Sequence, residues 1–171
     1  DFRPPYDPRR FAEAIKFIES NYPQIECIII DSISHEYEGV GGLTQIVLNY
    51  GGQMLDWAKA NPIHKIFLDA MLASKCHIIN CGRVKADYAM TADASGKMKM
   101  KKVGLKVSSK EGFEYELTTA FRIDENHLAT VDKDRTGIFQ DDVSFLITEE
   151  VGEKLIKWSM EGKPENPLNK N

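Results

Sequence analysis

The chain has 171 residues, of which 42% are hydrophobic and 28% are charged, enough to fill one core and keep its surface hydrated. The formal net charge of -4 excludes a surface that is basic throughout, so any contact with nucleic acid must come from a local cluster of cations. There is no apolar run of about 18 residues, no signal peptide and no lipidation motif, and the three cysteines lack metal-ligand spacing. We therefore expect a cytoplasmic protein with buried thiols and no membrane partner.

The first half of the chain alternates between helical and strand patterns. A helix is predicted from Pro8, and the short apolar runs at 25–31 and 76–81 lack alternation, as parallel strands covered on both faces do. Between these runs the sequence predicts a polar loop over 32–42 and a helix over about 44–60, with a break or kink at Gly51 and Gly52. A second helix is predicted from Pro62. The order helix, strand, helices, strand predicts an α/β fold with a parallel sheet.

The second half of the chain is more polar. Residues 84–109 predict two extended arms around a turn, and residues 117–133 predict a hairpin that closes one edge of the sheet. A last helix is predicted from Thr148, and the segment 162–171 is too polar to fold alone. We expect one domain over 1–161, followed by a flexible tail.

Asp31 ends the first predicted strand, and open α/β sheets bind ligands at the carboxyl ends of their inner strands. A carboxylate at this point can hold Mg²⁺, and the hydroxyl of Ser32 can order the site. The pattern is short, and an ordinary strand-end aspartate that makes a turn has the same sequence. The phosphate-binding loop GxxxxGK[ST] does not occur in the chain. If Asp31 serves a nucleotide, we expect that loop to precede residue 1, and a chain without it not to hydrolyse ATP.

Four segments, in this order, resemble the RecA-type recombinase and ATPase core, specifically the phage-encoded RecA-like ATPases of single-strand annealing and recombination. They are IIIDSISHEYEG, CHIINCGRVK, KEGFEYELTTAFRID and HLATVDKDRTGIF, and they lie within residues 25–139. The resemblance implies a RecA-like α/β fold, a mostly parallel sheet flanked by helices with an antiparallel hairpin at one edge. It also implies an ATP-binding and ATP-hydrolysing protein of DNA recombination, with ATP and Mg²⁺ as cofactors, in a bacterial or phage-infected cell.

The resemblance gives roles to residues around the first two strands. It makes Asp31 the magnesium-ordering carboxylate and Ser32 its neighbour. Arg83, with Lys85, stands where recombinases usually have an amide that senses the γ-phosphate, and a cation there can neutralise charge on the transferring phosphoryl group. A solvated basic turn would have the same residues. Glu36 is a candidate for polarising the attacking water, although the recombinase pattern places that glutamate upstream.

Lys133 and Arg135 resemble the pair of cations that reaches into the nucleotide of a neighbouring subunit in ring and filament ATPases. Residues i and i+2 of an extended segment point to the same side, so both charges can meet one triphosphate. This implies a homo-oligomer. The alternative is a charged exit from a hairpin.

Lysines are concentrated between residues 85 and 106, which in the recombinase core is the place of a loop that binds single-stranded DNA. Cations there can contact phosphates, and an aromatic ring can stack on bases. The alternative is a solvated hairpin whose methionines cover the core. The candidate DNA-binding residues are Tyr88, Lys97, Lys99, Lys101 and Lys102.

Two other functions fit the same pattern. One is a DNA-binding or scaffold protein that keeps the fold but cannot hydrolyse nucleotide. The other is a helicase-type motor domain, which would differ in oligomer geometry and in translocation.

Overall fold

A computed structural model describes residues 1–92, 98–139 and 144–161. The chain divides into two compact units, Asp1–Glu111 and Gly112–Asn171. The turn predicted near Gly96 and the tail predicted at 162–171 lie outside the described residues. No helix in the described part of the chain is long and apolar enough to cross a bilayer.

The first unit combines helices with two pairs of strands. Its helices are α1 (Pro8–Asn21), α2 (Ser34–Glu38), α3 (Leu43–Tyr50) and α4 (Trp57–Leu72). Its strands are β1 (Cys27–Asp31), β2 (His77–Cys81), β3 (Val84–Ala92) and β4 (Met98–Val107). Helix α1 begins where the sequence predicts, because the Asp7 carboxylate accepts a hydrogen bond from the Arg9 amide and Pro8 occupies the first turn.

Strands β1 and β2 pair in parallel, with Cys27 opposite His77 and Asp31 opposite Cys81. They are the only parallel pair among the described residues, and the other strands form small antiparallel sheets. The predicted RecA-like sheet of mostly parallel strands is therefore wrong, although the α/β class is right. Only two segments have the unbroken apolar pattern of parallel strands, and the later strands pair with their neighbours in sequence as hairpins.

The parallel pair is covered on one face by the described residues. Ile28 is buried, and the Asn80 amide contacts the Met71 sulfur of α4. Ile29 and Ile79, which point to the other face, are exposed, so the expected burial on both faces is not found. Alternation also exposes two of the three cysteines that the sequence predicts to be buried. Those two are Cys27 and Cys81.

Two helices differ from the predictions: α2 was not expected, and α4 begins earlier. Helix α2 lies in a segment predicted as a loop, and its Glu36 side chain is fixed by a contact with α4. Helix α4 begins at Trp57 instead of Pro62, because Gln53 and Asp56 cap each other in the turn just before it. The break predicted at Gly51 is confirmed, since α3 ends there with a positive φ angle of 131°.

Strands β3 and β4 form the two extended arms that the sequence predicts. Their antiparallel register runs from Val84 opposite Val107 to Ala92 opposite Met98, with a bulge after Asp87. We call this pair of strands, residues 84–92 and 98–107, the arm. Its base is tied to the end of β2, because the Ser108 amide donates to the Arg83 carbonyl at 2.7 Å.

The second unit has its own sheet. It contains α5 (Phe113–Glu116), β5 (Thr119–Ile123), β6 (Leu128–Asp134), β7 (Phe145–Leu146) and α6 (Glu149–Met160). The order β5-β6-β7 is antiparallel throughout, so the hairpin predicted to close the parallel sheet instead pairs with β7. Aromatic packing holds this sheet together: Phe121 lies edge-on to Phe139 and Phe145, which are stacked on each other.

Candidate functional site

The carboxyl ends of β1 and β2 form one edge, and we call it the carboxyl edge. Because Asp31 and Cys81 are paired, the residues that follow them emerge side by side. The Ile33 amide donates to the Cys81 carbonyl at 2.9 Å, and the Ser34 hydroxyl accepts from the Arg83 amide at 2.9 Å. The fold therefore brings Asp31 and Arg83 to the same edge.

Asp31 and Ser32 offer two oxygens of different character, and a cis peptide bond joins them. The Asp31 side chain is exposed, whereas Ser32 is only 6% exposed and its hydroxyl has no hydrogen-bond partner among the described residues. A buried hydroxyl without a partner is costly, and this one follows directly in the chain after an exposed carboxylate. These are the oxygen ligands that Mg²⁺ prefers.

The described residues do not form a complete metal cage, since no group of three or more histidine, cysteine, aspartate or glutamate side chains converges among them. Mg²⁺ in nucleotide sites usually keeps several waters and binds one or two carboxylates together with phosphate oxygens. Asp31 supplies one exposed carboxylate at this edge.

Arg83 is held by a histidine that sequence reasoning missed. Its guanidinium lies 3.0 Å from Nε2 of His35, which is in α2. The His35 ring stacks on Tyr6, with centroids 4.6 Å apart and planes 14° apart. Tyr6 is itself fixed, because its amide donates to the Val40 carbonyl at 2.7 Å. Nothing in the sequence pattern pairs His35 with a residue so distant in the chain.

Lys85 has a partner that balances its charge. Its ammonium lies 2.5 Å from the Glu38 carboxylate. Hydrogen bonds from Lys85 and from the Ser108 hydroxyl hold the pKa of Glu38 below its ordinary value. The pair joins α2 to the base of the arm, in a cleft that Asp87 and Glu111 also line. Lys85 therefore has a structural task that the sequence does not indicate.

Glu36 points into the interior. It is 2% exposed, and its Oε1 lies 2.8 Å from Nδ1 of His64, which is 3% exposed. Burial raises the pKa of Glu36, and the hydrogen bond to His64 lowers it in part. A carboxylate in this environment joins α2 to α4, and this geometry does not support the predicted role of polarising a solvent water.

Lys133 and Arg135 lie on one side of the end of β6, as their spacing predicts. Both donate to the Tyr115 carbonyl, and Lys133 also donates to the Glu114 carbonyl at 2.9 Å. Burial, followed by the nearby charge of Arg135, lowers the pKa of Lys133. The two cations are thus bound to the last carbonyls of α5 in the same unit, where positive charge is favourable.

The arm contains most of the candidate DNA-binding residues. Its register places Lys99 opposite Thr91, while Lys97 and the side chains at 88, 101 and 102 lie outside what the structure describes. Met98 and Met100 are 54% and 71% exposed, so they do not cover a core. The alternative of a solvated hairpin therefore stands without methionines that cover a core, and the DNA contact stays a prediction.

No protein-family model, curated protein or solved structure matches the chain. The resemblance of the four segments to recombination ATPases therefore stays a prediction. The description of the carboxyl edge depends only on the pairing of β1 with β2 and on the hydrogen bond between Ser34 and Arg83.

Proposed function

We propose that the chain is part of an ATP-binding and ATP-hydrolysing protein that acts on single-stranded DNA. The observation that carries the proposal is the exposed Asp31 carboxylate at the end of β1, at an edge that the Arg83 backbone shares and just before a buried Ser32 hydroxyl without a partner among the described residues. A carboxylate and a hydroxyl suit a magnesium ion, and a guanidinium suits phosphate oxygens. Their meeting at one edge supports a site for a metal nucleotide.

Each residue at the carboxyl edge has a distinct task in this proposal. Asp31 would hold Mg²⁺ through its carboxylate or a bound water, and the Ser32 hydroxyl would need to turn toward the edge to bind that water. Arg83 donates to the phosphates, since a planar guanidinium offers several N–H groups in a fixed arrangement. When bound, Mg²⁺ neutralises charge on the transferring phosphoryl group. Lys85 stabilises the arm through Glu38.

The arm is the proposed contact for single-stranded DNA. Its lysines give a local excess of cations in a chain of net charge -4, and such an excess attracts the phosphate backbone. The exposed Met98 and Met100 give it an apolar surface beside those cations. The proposal also includes assembly as a ring or filament, in which Lys133 and Arg135 exchange their hydrogen bonds to the α5 carbonyls for contacts with the nucleotide of a neighbouring copy.

Calorimetric titration of the 171-residue chain with ATP, with and without Mg²⁺, tests the nucleotide site. We expect binding in the millimolar range that depends on Mg²⁺, and a loss of at least about tenfold in affinity for Asp31→Asn. Asp69→Asn is the matched control, because Asp69 is an exposed carboxylate of α4 paired with Lys65. Binding that is absent, or equal in the wild type and Asp31→Asn, would contradict the proposal.

A further inference from the structure

We infer that His35 is a positioning residue that sets the orientation of the Arg83 guanidinium toward the phosphates of a nucleotide at the carboxyl edge. The inference rests on the proposed function and adds to it a specific residue and a specific contact. His35 itself does not touch the nucleotide in this account. It acts through Arg83.

The chemistry of the contact defines its direction. A guanidinium has only donors, so Nε2 of His35 must accept the hydrogen bond and the imidazole must carry its proton on Nδ1. One bond to His35 occupies part of the guanidinium and leaves N–H groups for phosphate oxygens. The contact therefore orients Arg83 without consuming its capacity to bind an anion.

The histidine is a firm support because three contacts hold α2 and its surroundings. The ring of Tyr6 stacks on the imidazole, and Glu36, the next residue, is fixed to His64 in the interior. The main chain of Arg83 is bound to Ser34, so only its side chain remains to be positioned. An exposed arginine otherwise loses much rotamer freedom when it binds a ligand, and a preset orientation reduces that cost.

A double-mutant cycle on the same calorimetric titration tests the inference. We expect His35→Ala and Arg83→Ala each to weaken Mg²⁺·ATP binding by about 5- to 10-fold, and the double variant to be no weaker than Arg83→Ala alone. His35→Gln should recover most of the affinity, because its amide oxygen can accept from Arg83. A purely structural histidine would give neither the coupling nor the recovery.

Two controls keep the test interpretable. His77→Ala removes a histidine at the opposite end of β2 and should leave the affinity unchanged. If His35→Ala unfolds the chain, Tyr6→Ala and Tyr6→Phe replace it: loss of the stacked ring should weaken binding, and loss of the hydroxyl alone should not.

The outcomes separate the inference from the proposed function. If the wild type binds Mg²⁺·ATP through Asp31 but His35→Ala binds equally well, or its effect adds to that of Arg83→Ala, the role of His35 is overturned and the nucleotide site stands. If Asp31→Asn does not change binding, the nucleotide site itself is overturned.

Discussion

Glu36 and His64 form an enclosed acid–base pair between α2 and α4. Removing one partner of such a pair leaves a buried charge without compensation, whereas a neutral substitute of the same shape keeps the packing. Burial raises the pKa of Glu36 in the folded protein. The free energy of unfolding therefore falls as the pH rises from the unfolded pKa of this group to its folded pKa. Glu36 thus joins α2 to α4, and its negative charge destabilises the folded state.

We expect His64→Ala to lower the free energy of unfolding by about 3–5 kcal/mol, and Glu36→Gln to change it by under about 1 kcal/mol. Urea unfolding followed by the fluorescence of Trp57, which packs beside Tyr37 in the same unit, measures both. Equal destabilisation by the two variants would show that Glu36 is not fixed by this pair.

Asp134 organises the turn after β6. Burial by itself raises its pKa, but hydrogen bonds from Thr136 and from the Phe139 and Gly137 amides outweigh that effect, and the pKa is lowered overall. A lowered folded pKa gives stability that is complete above the unfolded pKa of about 3.9 and is lost as the pH falls through the folded pKa.

Asp134→Asn should therefore destabilise the second unit at neutral pH by about 1 kcal/mol, and the difference from wild type should shrink at about pH 3. The NMR signals of the Thr136 and Phe139 amides during urea unfolding report this unit directly. A difference that stays constant over this range would contradict the linkage.

At the scale of elements, α2 connects the carboxyl edge to the arm. Its Ser34 and His35 hold Arg83, and its Glu38 holds Lys85. The helix ends at Gly39, where a Cβ atom would lie 2.5 Å from the His35 carbonyl oxygen and 2.8 Å from the Tyr6 ring. A glycine is needed there because an added Cβ would meet the backbone of the helix itself and the Tyr6 ring.

Gly39→Ala should destabilise the first unit by at least about 2 kcal/mol, because the backbone oxygen at this contact cannot easily move away. Gly152→Ala is the matched control: it lies inside α6 with nothing within 4 Å of an added Cβ, so it should stabilise by about 0.5–1 kcal/mol. Thermal unfolding of both variants checks the opposite signs. A neutral Gly39→Ala would mean that neither the His35 carbonyl nor the Tyr6 ring lies this close to Gly39.

For the arm, Lys99→Ala with Lys101→Ala should weaken single-stranded DNA binding. It should also reduce the slope of log affinity against log salt by about 1.4, since each phosphate contact contributes about 0.7. Lys16→Ala with Lys75→Ala removes the same charge from α1 and from the segment before β2, and should leave the slope unchanged. Fluorescence anisotropy over a salt series measures both, and equal slopes would place DNA contact elsewhere.

At the scale of the whole molecule, the sequence predicted the elements better than their assembly. The caps at Pro8 and the runs at 25–31 and 76–81 are local signals, and they produced α1, β1 and β2 near the expected positions. The partners of a strand depend on long-range contacts, which is why the mostly parallel sheet was predicted wrongly.

The candidate site was predictable to a similar extent. Asp31 could be chosen because a strand end is readable from an apolar run, whereas Ser32 and Arg83 were chosen through the resemblance to recombination ATPases. The burial of Glu36 and the contact of His35 with Arg83 could not, because each joins residues far apart in the chain. Contacts between residues far apart in the chain form only when the chain folds, and they leave no helical or strand periodicity in the sequence.

The proposed assembly predicts that active sites form between copies. In the ATP-hydrolysing form of the protein, Asp31→Ala and Arg135→Ala should each abolish turnover, and an equal mixture should recover about one quarter of it, because random neighbours then include intact sites. A mixture that stays inactive would contradict a site completed by Arg135 of a neighbouring copy.

The most direct test of the central claim is paramagnetic broadening of NMR signals by Mn²⁺·ATP, in which Mn²⁺ replaces Mg²⁺. We predict that the amide signals of Asp31, Ser32 and Arg83 broaden first, that those of Ala73 and Ser74 near the opposite end of β2 persist, and that Asp31→Asn abolishes the effect. Broadening that is uniform, that centres on the cleft of Glu38 and Asp87, or that is unchanged in Asp31→Asn would contradict a metal-nucleotide site at the carboxyl edge.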